Sequence, residues 1–212
     1  MLTAINPYKF KSKIIACVLL ALILVANISI AQNKLLDSLT LDTLTAYTNL
    51  EQALKEPQKV IKLVLRRDKL KKFPSEIFQF TNLQYLDLSK NDIKEIPYQI
   101  GTLKDLQYFA ISKNHLIELP APIGDLSNLY YLNANQNDLF GIPMEIGKLV
   151  KLRNLDLWDN NIGELPDEIK NCTALKIVDL RAIMIKDSEQ ARIQLLLKHT
   201  KVHFSPYCNC QQ

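Results

Sequence analysis

The chain has 212 residues, enough for one ordinary domain or at most two small ones. Hydrophobic residues make up 48% of it and charged residues 23%, a balance that excludes both a disordered chain and one wholly embedded in a membrane. The formal net charge of +4 falls to +1 when Lys9, Lys11 and Lys13 of the N-terminal segment are set aside, so composition gives no reason to expect a nucleic-acid partner.

Residues 1–31 have the layout of a secretory signal peptide. The first part carries three lysines and no acid, and an uncharged, mostly aliphatic run follows over residues 14–30. Ser29 and Ala31 place small residues at the −3 and −1 positions of a cleavage site before Gln32. The run is also close to the length of a spanning helix, so an uncleaved membrane anchor is the alternative. In both cases we expect export, to the medium, the periplasm or the cell surface.

Residues 32–59 are predicted to form an N-terminal linker and cap helix. The stretch 32–47 is rich in serine, threonine and leucine, and its pattern fits either a linker or part of the cap. Thr48 and Glu51 have the spacing of a capping box, in which two side chains satisfy free N–H groups at a helix start. They predict a helix that ends near Glu56, where a proline follows.

Residues 60–186 contain six copies of a repeat with a period of 23 residues. Aliphatic residues recur at this spacing in three columns, and the first column is Val60, Leu83, Leu106, Leu129, Leu152 and Leu175. The four middle copies share an asparagine, at Asn91, Asn114, Asn137 and Asn160. A proline follows in five copies, at Pro74, Pro97, Pro120, Pro143 and Pro166, with an isoleucine three residues after each.

The pattern within one copy predicts its local structure. Alternating apolar residues, as at Leu86 and Leu88, predict a short strand with one face inward. The asparagine follows where the chain leaves the strand, and its amide can satisfy backbone groups of the turns. Proline, as at Pro74, suits the first position of a short helical turn. One copy cannot bury its apolar face alone, so we expect the copies to stack.

The motif L-x-x-L-x-L-x-x-N-x-L, over about residues 57–204, resembles the leucine-rich repeat family. The L-P-x-x-I continuation resembles the subclass of Ras-group and bacterial secreted repeat proteins. The resemblance implies an α/β fold, a right-handed leucine-rich-repeat solenoid shaped as a short horseshoe with a parallel concave sheet and helical caps. It also implies a scaffold that binds other molecules and is not an enzyme.

Residues 187–212 are predicted to form a C-terminal cap helix, a short strand and a tail. Ile183 stands where the earlier copies have asparagine, so the asparagine ladder is expected to end there. The helix opens at Asp187, and Val202-His203-Phe204 indicates the strand. The predicted helix is amphipathic, with residues spaced one turn apart at Ala191, Leu195 and Lys198.

The C-terminal region also holds the candidates for metal or thiol chemistry. His199, His203, Cys208 and Cys210 have a spacing that four zinc ligands can use, but His203 falls in the predicted strand and thiols oxidise outside the cell. We therefore expect no metal and no cofactor, and a disulfide at Cys208 or Cys210 and free or intermolecular thiols remain as alternatives. Cys172 falls in a leucine column, which predicts a buried hydrophobic side chain.

The outward strand positions are expected to line the concave wall. Tyrosine, tryptophan and arginine often dominate binding energy, and three tyrosines share one column. A flanking column runs from basic Arg67 to acidic Asp159, which can orient a partner. The alternative is that these tyrosines only favour strand formation. The candidate partner-binding residues are Arg66, Tyr85, Asp87, Tyr108, Tyr130, Tyr131, Asn133, Asp156, Trp158, Asp179 and Arg181.

We expect a non-catalytic, exported module that binds a protein or peptide ligand through its concave strand face. Phosphate-binding, serine-hydrolase and zinc-protease motifs are missing from the sequence. Asp156 and Asp159 are interpreted as solvated surface residues and not as an acid/base pair. The alternative function is a membrane-anchored structural, adhesion or signalling scaffold. Contact with a membrane is expected only if the N-terminal segment stays uncleaved.

Overall fold

The computed structural model describes residues 35–205, so the predicted signal peptide and the cysteines of the tail lie outside the described residues. Within that range the α-helices are α1 (Ser38–Thr43), α2 (Leu50–Ala53) and α3 (Asp187–Leu196). The strands of this range are β1 (Lys62–Val64), β2 (Tyr85–Asp87), β3 (Tyr108–Ala110), β4 (Tyr131–Asn133), β5 (Asn154–Asp156), β6 (Ile177–Leu180) and β7 (Lys201–Phe204). Short 3₁₀ helices span Pro57–Lys59, Ser75–Gln79, Tyr98–Thr102, Ala121–Asp125, Met144–Lys148 and Asp167–Asn171.

The strands form one open, parallel sheet in chain order. The register sets equivalent repeat positions side by side, so that Leu86 pairs with Phe109 and Phe109 with Leu132. This arrangement confirms the predicted α/β repeat solenoid. The predicted final strand is also confirmed, as β7.

A continuous aliphatic core runs through the stacked repeats. Leu86 and Leu88 are fully buried beneath the sheet, and Ile100 and Ile123 join the same core from the 3₁₀ helices. Burial of one such side chain contributes roughly 1.5–3 kcal/mol. Each repeat covers the next, so this gain is available only to the stack.

The asparagine ladder connects successive turns. The Asn114 side-chain amide donates to the carbonyls of Leu88 (3.1 Å) and Ile111 (3.0 Å), and its oxygen accepts from the Ile93 N–H (3.0 Å). Asn91, Asn137 and Asn160 make the equivalent bonds. The predicted role of these asparagines is confirmed, and the buried Ile183 ends the ladder.

The prolines stand one position earlier than predicted. Pro97 precedes the 3₁₀ helix Tyr98–Thr102 as its N-cap, with extended backbone (φ −62, ψ 147). Its carbonyl accepts the first helical bond, from the Ile100 N–H at 3.0 Å. The prediction that proline occupies the first helical position was therefore wrong. Proline is the N-cap instead, because its carbonyl accepts the first helical hydrogen bond while its own backbone stays extended.

The described part of residues 32–47 belongs to the N-terminal cap and is not a free linker. Asp37 caps α1 by accepting the Thr40 N–H at 3.0 Å. Leu41 of α1 is fully buried. Tyr47 then bridges to Leu63 of β1 in parallel, which covers the first edge of the sheet.

Helix α2 differs from its prediction in both boundaries. Asn49, not Thr48, is its N-cap and accepts the Gln52 N–H at 2.9 Å, since asparagine is the stronger capping residue. The helix ends at Ala53, three residues before Glu56, because the chain tightens into i→i+3 bonds such as Lys55 N–H to Gln52 O at 3.2 Å.

Helix α3 has the predicted start but a different buried face. Ile193 and Leu197 pack into the core, one turn apart. Ala191 and Leu195, which the spacing had grouped, are exposed. Arg192 ties the helix to the last repeat by donating to the Leu165 carbonyl.

Candidate binding face

Three tyrosines stack face to face on the outward side of β2, β3 and β4. The ring centroids of Tyr85 and Tyr108 are 4.0 Å apart at an angle of 3°, and those of Tyr108 and Tyr131 are 4.4 Å apart at 2°. The parallel register causes this stacking, because it sets equivalent side chains one strand spacing apart. We call the surface formed by the outward side chains of the strands the open face.

Lys62 closes the first end of the tyrosine stack. Its Nζ lies 4.5 Å from the centroid of the Tyr85 ring, a cation–π distance. The same ammonium donates to the carbonyls of Leu41 (3.0 Å) and Asp42 (2.8 Å) at the end of α1. The N-terminal cap is thereby fixed beside the open face. Lys62 shares the tyrosine column, because the strand register pairs it with Tyr85, but sequence reasoning missed its contact with α1.

Burial raises the pKa of Tyr85, Tyr108 and Tyr131 above its ordinary value. All three hydroxyls are therefore protonated at neutral pH. The stack offers a partner aromatic edges together with hydroxyl donors.

The acidic and amide side chains predicted for the open face also hold the strand ends. Asp87, Asn133, Asp156 and Asp179 each accept the backbone N–H two residues further on, at 2.9 to 3.2 Å. This local bond closes an Asx turn where the strand ends. The Asx turn is therefore sufficient reason for an aspartate or asparagine at these positions, whether or not they contact a partner.

Two of these acids are neutralised and one is not. Asp87 pairs with Arg66 at 3.3 Å, and Asp179 pairs with Arg181 at 2.6 Å. Asp156 instead accepts from the Asn135 amide at 2.6 Å. Burial raises the pKa of Asp156, and the negative charge of Asp179 adds to the effect.

The predicted charge gradient is present along the residues that follow the strands. Arg67, Lys90 and Lys113 follow β1, β2 and β3, and Asp159 takes the same repeat position after β5. The positive charge of Arg67, followed by partial burial, lowers the pKa of Lys90. All four residues have left-handed backbone, with φ between 55 and 63.

Two predicted aromatic residues lie apart from the stack. Trp158 follows β5, is partly exposed, and donates its backbone N–H to the Asp156 carboxylate at 3.2 Å. Tyr130 precedes β4 and lines a cleft together with Asp37 and Arg153. Tyr130 therefore belongs to the edge of the sheet and not to the tyrosine column.

The residues that immediately precede the strands form what we call the leading edge of the sheet. Here Gln84 accepts the backbone N–H of Leu36 at 2.9 Å, and Gln107 donates to the carbonyl of Leu36 at 2.9 Å. The two glutamines also bond to each other at 2.9 Å. Sequence reasoning missed this contact, although the 23-residue spacing of Gln84 and Gln107 is visible in the sequence.

Within residues 35–205, no group of three or more histidine, cysteine, aspartate or glutamate side chains is placed to hold a metal ion. Cys172 is buried as predicted, and its Sγ donates to the Ile146 carbonyl at 3.1 Å. Burial raises the pKa of this thiol to about 11, so it is unreactive at neutral pH. Cys208 and Cys210 lie outside the described residues, so the alternatives of a disulfide and of free or intermolecular thiols stay predictions.

Comparison with known proteins identifies the class. A leucine-rich repeat region profile matches residues 59–145, and a Leucine Rich Repeat profile matches residues 151–172. The chain therefore belongs to the leucine-rich repeat family, whose members are generally non-enzymatic modules that bind proteins. Comparison with curated proteins gives no match.

Several solved structures are similar to this chain. A leucine-rich repeat protein of Leptospira interrogans is 30% identical, with a TM-score of 0.61, over 77% of this chain and 49% of that one. The ectodomain of the Arabidopsis thaliana receptor kinase GASSHO1/SCHENGEN3, in complex with CASPARIAN STRIP INTEGRITY FACTOR 2, is 32% identical, with a TM-score of 0.59, over 69% and 18%. The plant peptide hormone receptor RGFR1, in complex with RGF2, is 34% identical, with a TM-score of 0.54, over 63% and 22%.

This chain thus spans about half of the Leptospira protein and about a fifth of the plant receptors. No helix within residues 35–205 has the length and apolar character needed to cross a bilayer.

Proposed function

We propose that this chain is an exported, non-catalytic module that binds a protein or peptide through the open face of its sheet. The observation that carries the proposal is the stack of Tyr85, Tyr108 and Tyr131, whose rings lie 4.0 to 4.4 Å apart. The neighbouring rings already restrict each side chain, so a partner that contacts them loses little additional entropy. Large aromatic groups with one polar atom are well suited to such a surface.

The charges on either side of the stack favour a partner with a complementary charge separation. Arg67, Lys90 and Lys113 are basic and have no acidic partner within hydrogen-bonding distance in the described chain. Asp156 and Asp159 lie two to four strands away, and their side-chain partners are the neutral amides of Asn135 and Gln136. An extended ligand that places acidic residues over β1 to β3 and basic residues over β5 satisfies both ends.

The similar plant receptors support the same class of ligand. The RGFR1 and GASSHO1/SCHENGEN3 structures are complexes with RGF2 and with CASPARIAN STRIP INTEGRITY FACTOR 2. The L-P-x-x-I continuation further suggests placement with Ras-group and bacterial secreted repeats. Export rests on the N-terminal signal pattern, and an uncleaved anchor is the alternative.

The double substitution Tyr108→Ala with Tyr131→Ala tests the open face. We expect it to weaken binding of the native partner at least about tenfold, because it removes the centre of the aromatic surface. The partner is captured with residues 32–212 from the envelope and medium of the source organism, and its affinity for each variant is measured by calorimetry.

Tyr98→Ala is the matched control, because Tyr98 is 70% exposed and lies on a 3₁₀ helix away from the strands. Circular dichroism verifies that each variant folds. Equal affinity of the double variant and the unaltered protein would contradict the proposal.

A further inference from the structure

A cleft of about 370 Å³ lies between the start of α1 and the leading edge of the sheet. Tyr130, Lys151 and Arg153 contribute to its wall, with Val150 as an apolar neighbour. Val150 is 50% exposed although it is aliphatic. The cleft is separate from the tyrosine stack and has no role in the binding described above.

Three polar side chains of this cleft, those of Tyr130, Lys151 and Arg153, are hydrogen-bond donors. Arg153 is exposed and makes no ion pair within residues 35–205. Lys151 donates to a neutral acceptor, the Asn128 side chain, at 2.7 Å. Burial, followed by the negative charge of Asp42, raises the pKa of Tyr130 to about 12, so its hydroxyl stays protonated.

The single acid in the cleft wall stays ionised but is used as a helix cap, because its bonds with Thr40 lower its pKa. Asp37 caps α1, and its carboxylate accepts both the N–H (3.0 Å) and the hydroxyl (2.6 Å) of Thr40. Two cations of the wall, Lys151 and Arg153, outnumber this acid, and together with the Tyr130 hydroxyl they favour an anionic group.

The same edge already binds an extended piece of polypeptide. Gln84 and Gln107 hold the N–H and the carbonyl of Leu36, so they recognise backbone and not a particular side chain. The next residue, Asp37, is extended (φ −68, ψ 160) and lies at the cleft. The edge between Gln107 and Arg153 covers two strand spacings, roughly 10 Å, which is about three residues of extended chain.

We propose that the cleft is a subsite for an acidic side chain of the partner, carried by an extended segment that continues along the leading edge. Arg153 pairs with the carboxylate, Tyr130 donates its hydroxyl to it, and Val150 contacts an adjacent apolar side chain. This inference rests on the proposed function and adds to it the chemistry of the partner, an extended acidic peptide segment.

The test is a titration of the ¹⁵N-labelled protein with acetyl-Ser-Leu-Asp-Ser-amide, followed by nuclear magnetic resonance. We expect saturable shifts at the Arg153 Nε–H and at the Tyr130 amide. The unaltered protein should bind acetyl-Ser-Leu-Asn-Ser-amide at least about tenfold more weakly than the acidic peptide, because a charge-assisted pair is lost. The Arg153→Gln variant should bind the acidic peptide more weakly by the same factor, for the same reason. Lys176→Gln is the matched control, one repeat further along the same edge and outside the cleft, and should keep its affinity within about twofold.

Equal affinity for the acidic and neutral peptides, no saturable shift at Arg153, or unchanged binding by Arg153→Gln would each overturn the subsite. The native partner separates this proposal from the proposed function. If Arg153→Gln binds that partner normally and the tyrosine double variant does not, the open face stands and the subsite falls. If only Arg153→Gln loses the partner, the subsite stands and the open-face proposal falls.

Discussion

At the scale of single residues, Asp156 and Asp179 occupy the same repeat position with opposite electrostatic surroundings. Both accept a backbone N–H two residues on. Burial alone would raise the pKa of Asp179, but the Arg181 side chain and backbone bonds outweigh it and lower the pKa. Asp156 has no such arginine contact, and burial raises its pKa. The two acids should therefore affect folding with opposite dependence on pH.

The matched substitutions Asp156→Asn and Asp179→Asn test this difference. The pKa of Asp156 is higher in the folded chain than in the unfolded chain, so the ionised carboxylate destabilises the fold. This destabilisation grows as the pH rises above the unfolded pKa of 3.8 and through the raised folded value. Asp156→Asn should stabilise the protein at pH 7 by less than about 1 kcal/mol, and this gain should vanish near pH 3.

Asp179 contributes stability above its unfolded pKa of 3.8 and loses it as pH falls through the lowered folded value. Asp179→Asn should therefore destabilise the protein at pH 7 by about 0.5–1 kcal/mol, with the loss shrinking in acid. Urea unfolding of both variants at pH 7 and pH 3 gives the four free energies. Changes of the same sign at pH 7 would refute the assignment.

At the scale of elements, the 3₁₀ helix Met144–Lys148 packs against the next repeat closely enough to require glycine. A Cβ added to Gly147 in the helix Met144–Lys148 would lie 2.5 Å from the Glu168 carbonyl oxygen and 2.8 Å from the Glu168 Cβ. The nearest atom belongs to backbone of the next repeat, so it cannot rotate away. The distance between repeats is thus set at this contact as well as in the sheet.

Gly147→Ala should accordingly destabilise the protein by about 1–3 kcal/mol, because the next repeat must shift to admit the methyl group. Gly163→Ala is the control, since a Cβ there meets nothing within 4 Å, and its effect should stay within about 0.5 kcal/mol. Urea unfolding measures both. Equal effects of the two substitutions would show that the close approach does not limit stacking.

The elements inside the repeat were predictable and those outside it were less so. Six copies fix the strand at Leu86 and its equivalents, because every column supports the same assignment. The boundaries of α2 and the buried face of α3 were wrong, because each cap occurs once and has no second copy to compare.

The candidate site follows the same division. The tyrosine column was predicted from the 23-residue spacing, and its stacking is confirmed. The contacts of Lys62 with α1 and of Gln107 with Leu36 were missed, because they join the repeats to a segment that lies outside them. Sequence periodicity identifies which side chains share a surface but not which non-repeating segment covers it.

At the scale of the whole molecule, the proposed export of the chain rests on the predicted signal peptide of residues 1–31. If the predicted signal peptide is removed, N-terminal sequencing of the protein from its native source should begin at Gln32. Ala31→Leu should block the cut, because the position before a cleavage site requires a small residue. A protein that keeps residues 1–31 without this substitution would support the anchored alternative.

The stacked architecture also links the two ends of the molecule to the open face. Tyr47 bridges to Leu63 at the β1 edge, and Lys62 joins α1 to the tyrosine stack. At the other end, Ile193 of α3 and Leu197, which directly follows the helix, complete the core. Each repeat is held only by its neighbours, so the first and last repeats rely on the caps to cover their outer sides. We therefore expect the open face to stay well ordered only when both caps are folded.

The position of Trp158 has a practical consequence. It is the sole tryptophan of the chain, it is partly exposed, and its backbone N–H donates to the Asp156 carboxylate on the open face. The indole ring can be excited at a wavelength that the tyrosines do not absorb. A ligand that displaces water from this ring therefore changes the wavelength and intensity of its fluorescence. If the open face binds a ligand as proposed, Trp158 serves as a built-in optical sensor, and a spectrofluorometer can follow docking without any attached dye.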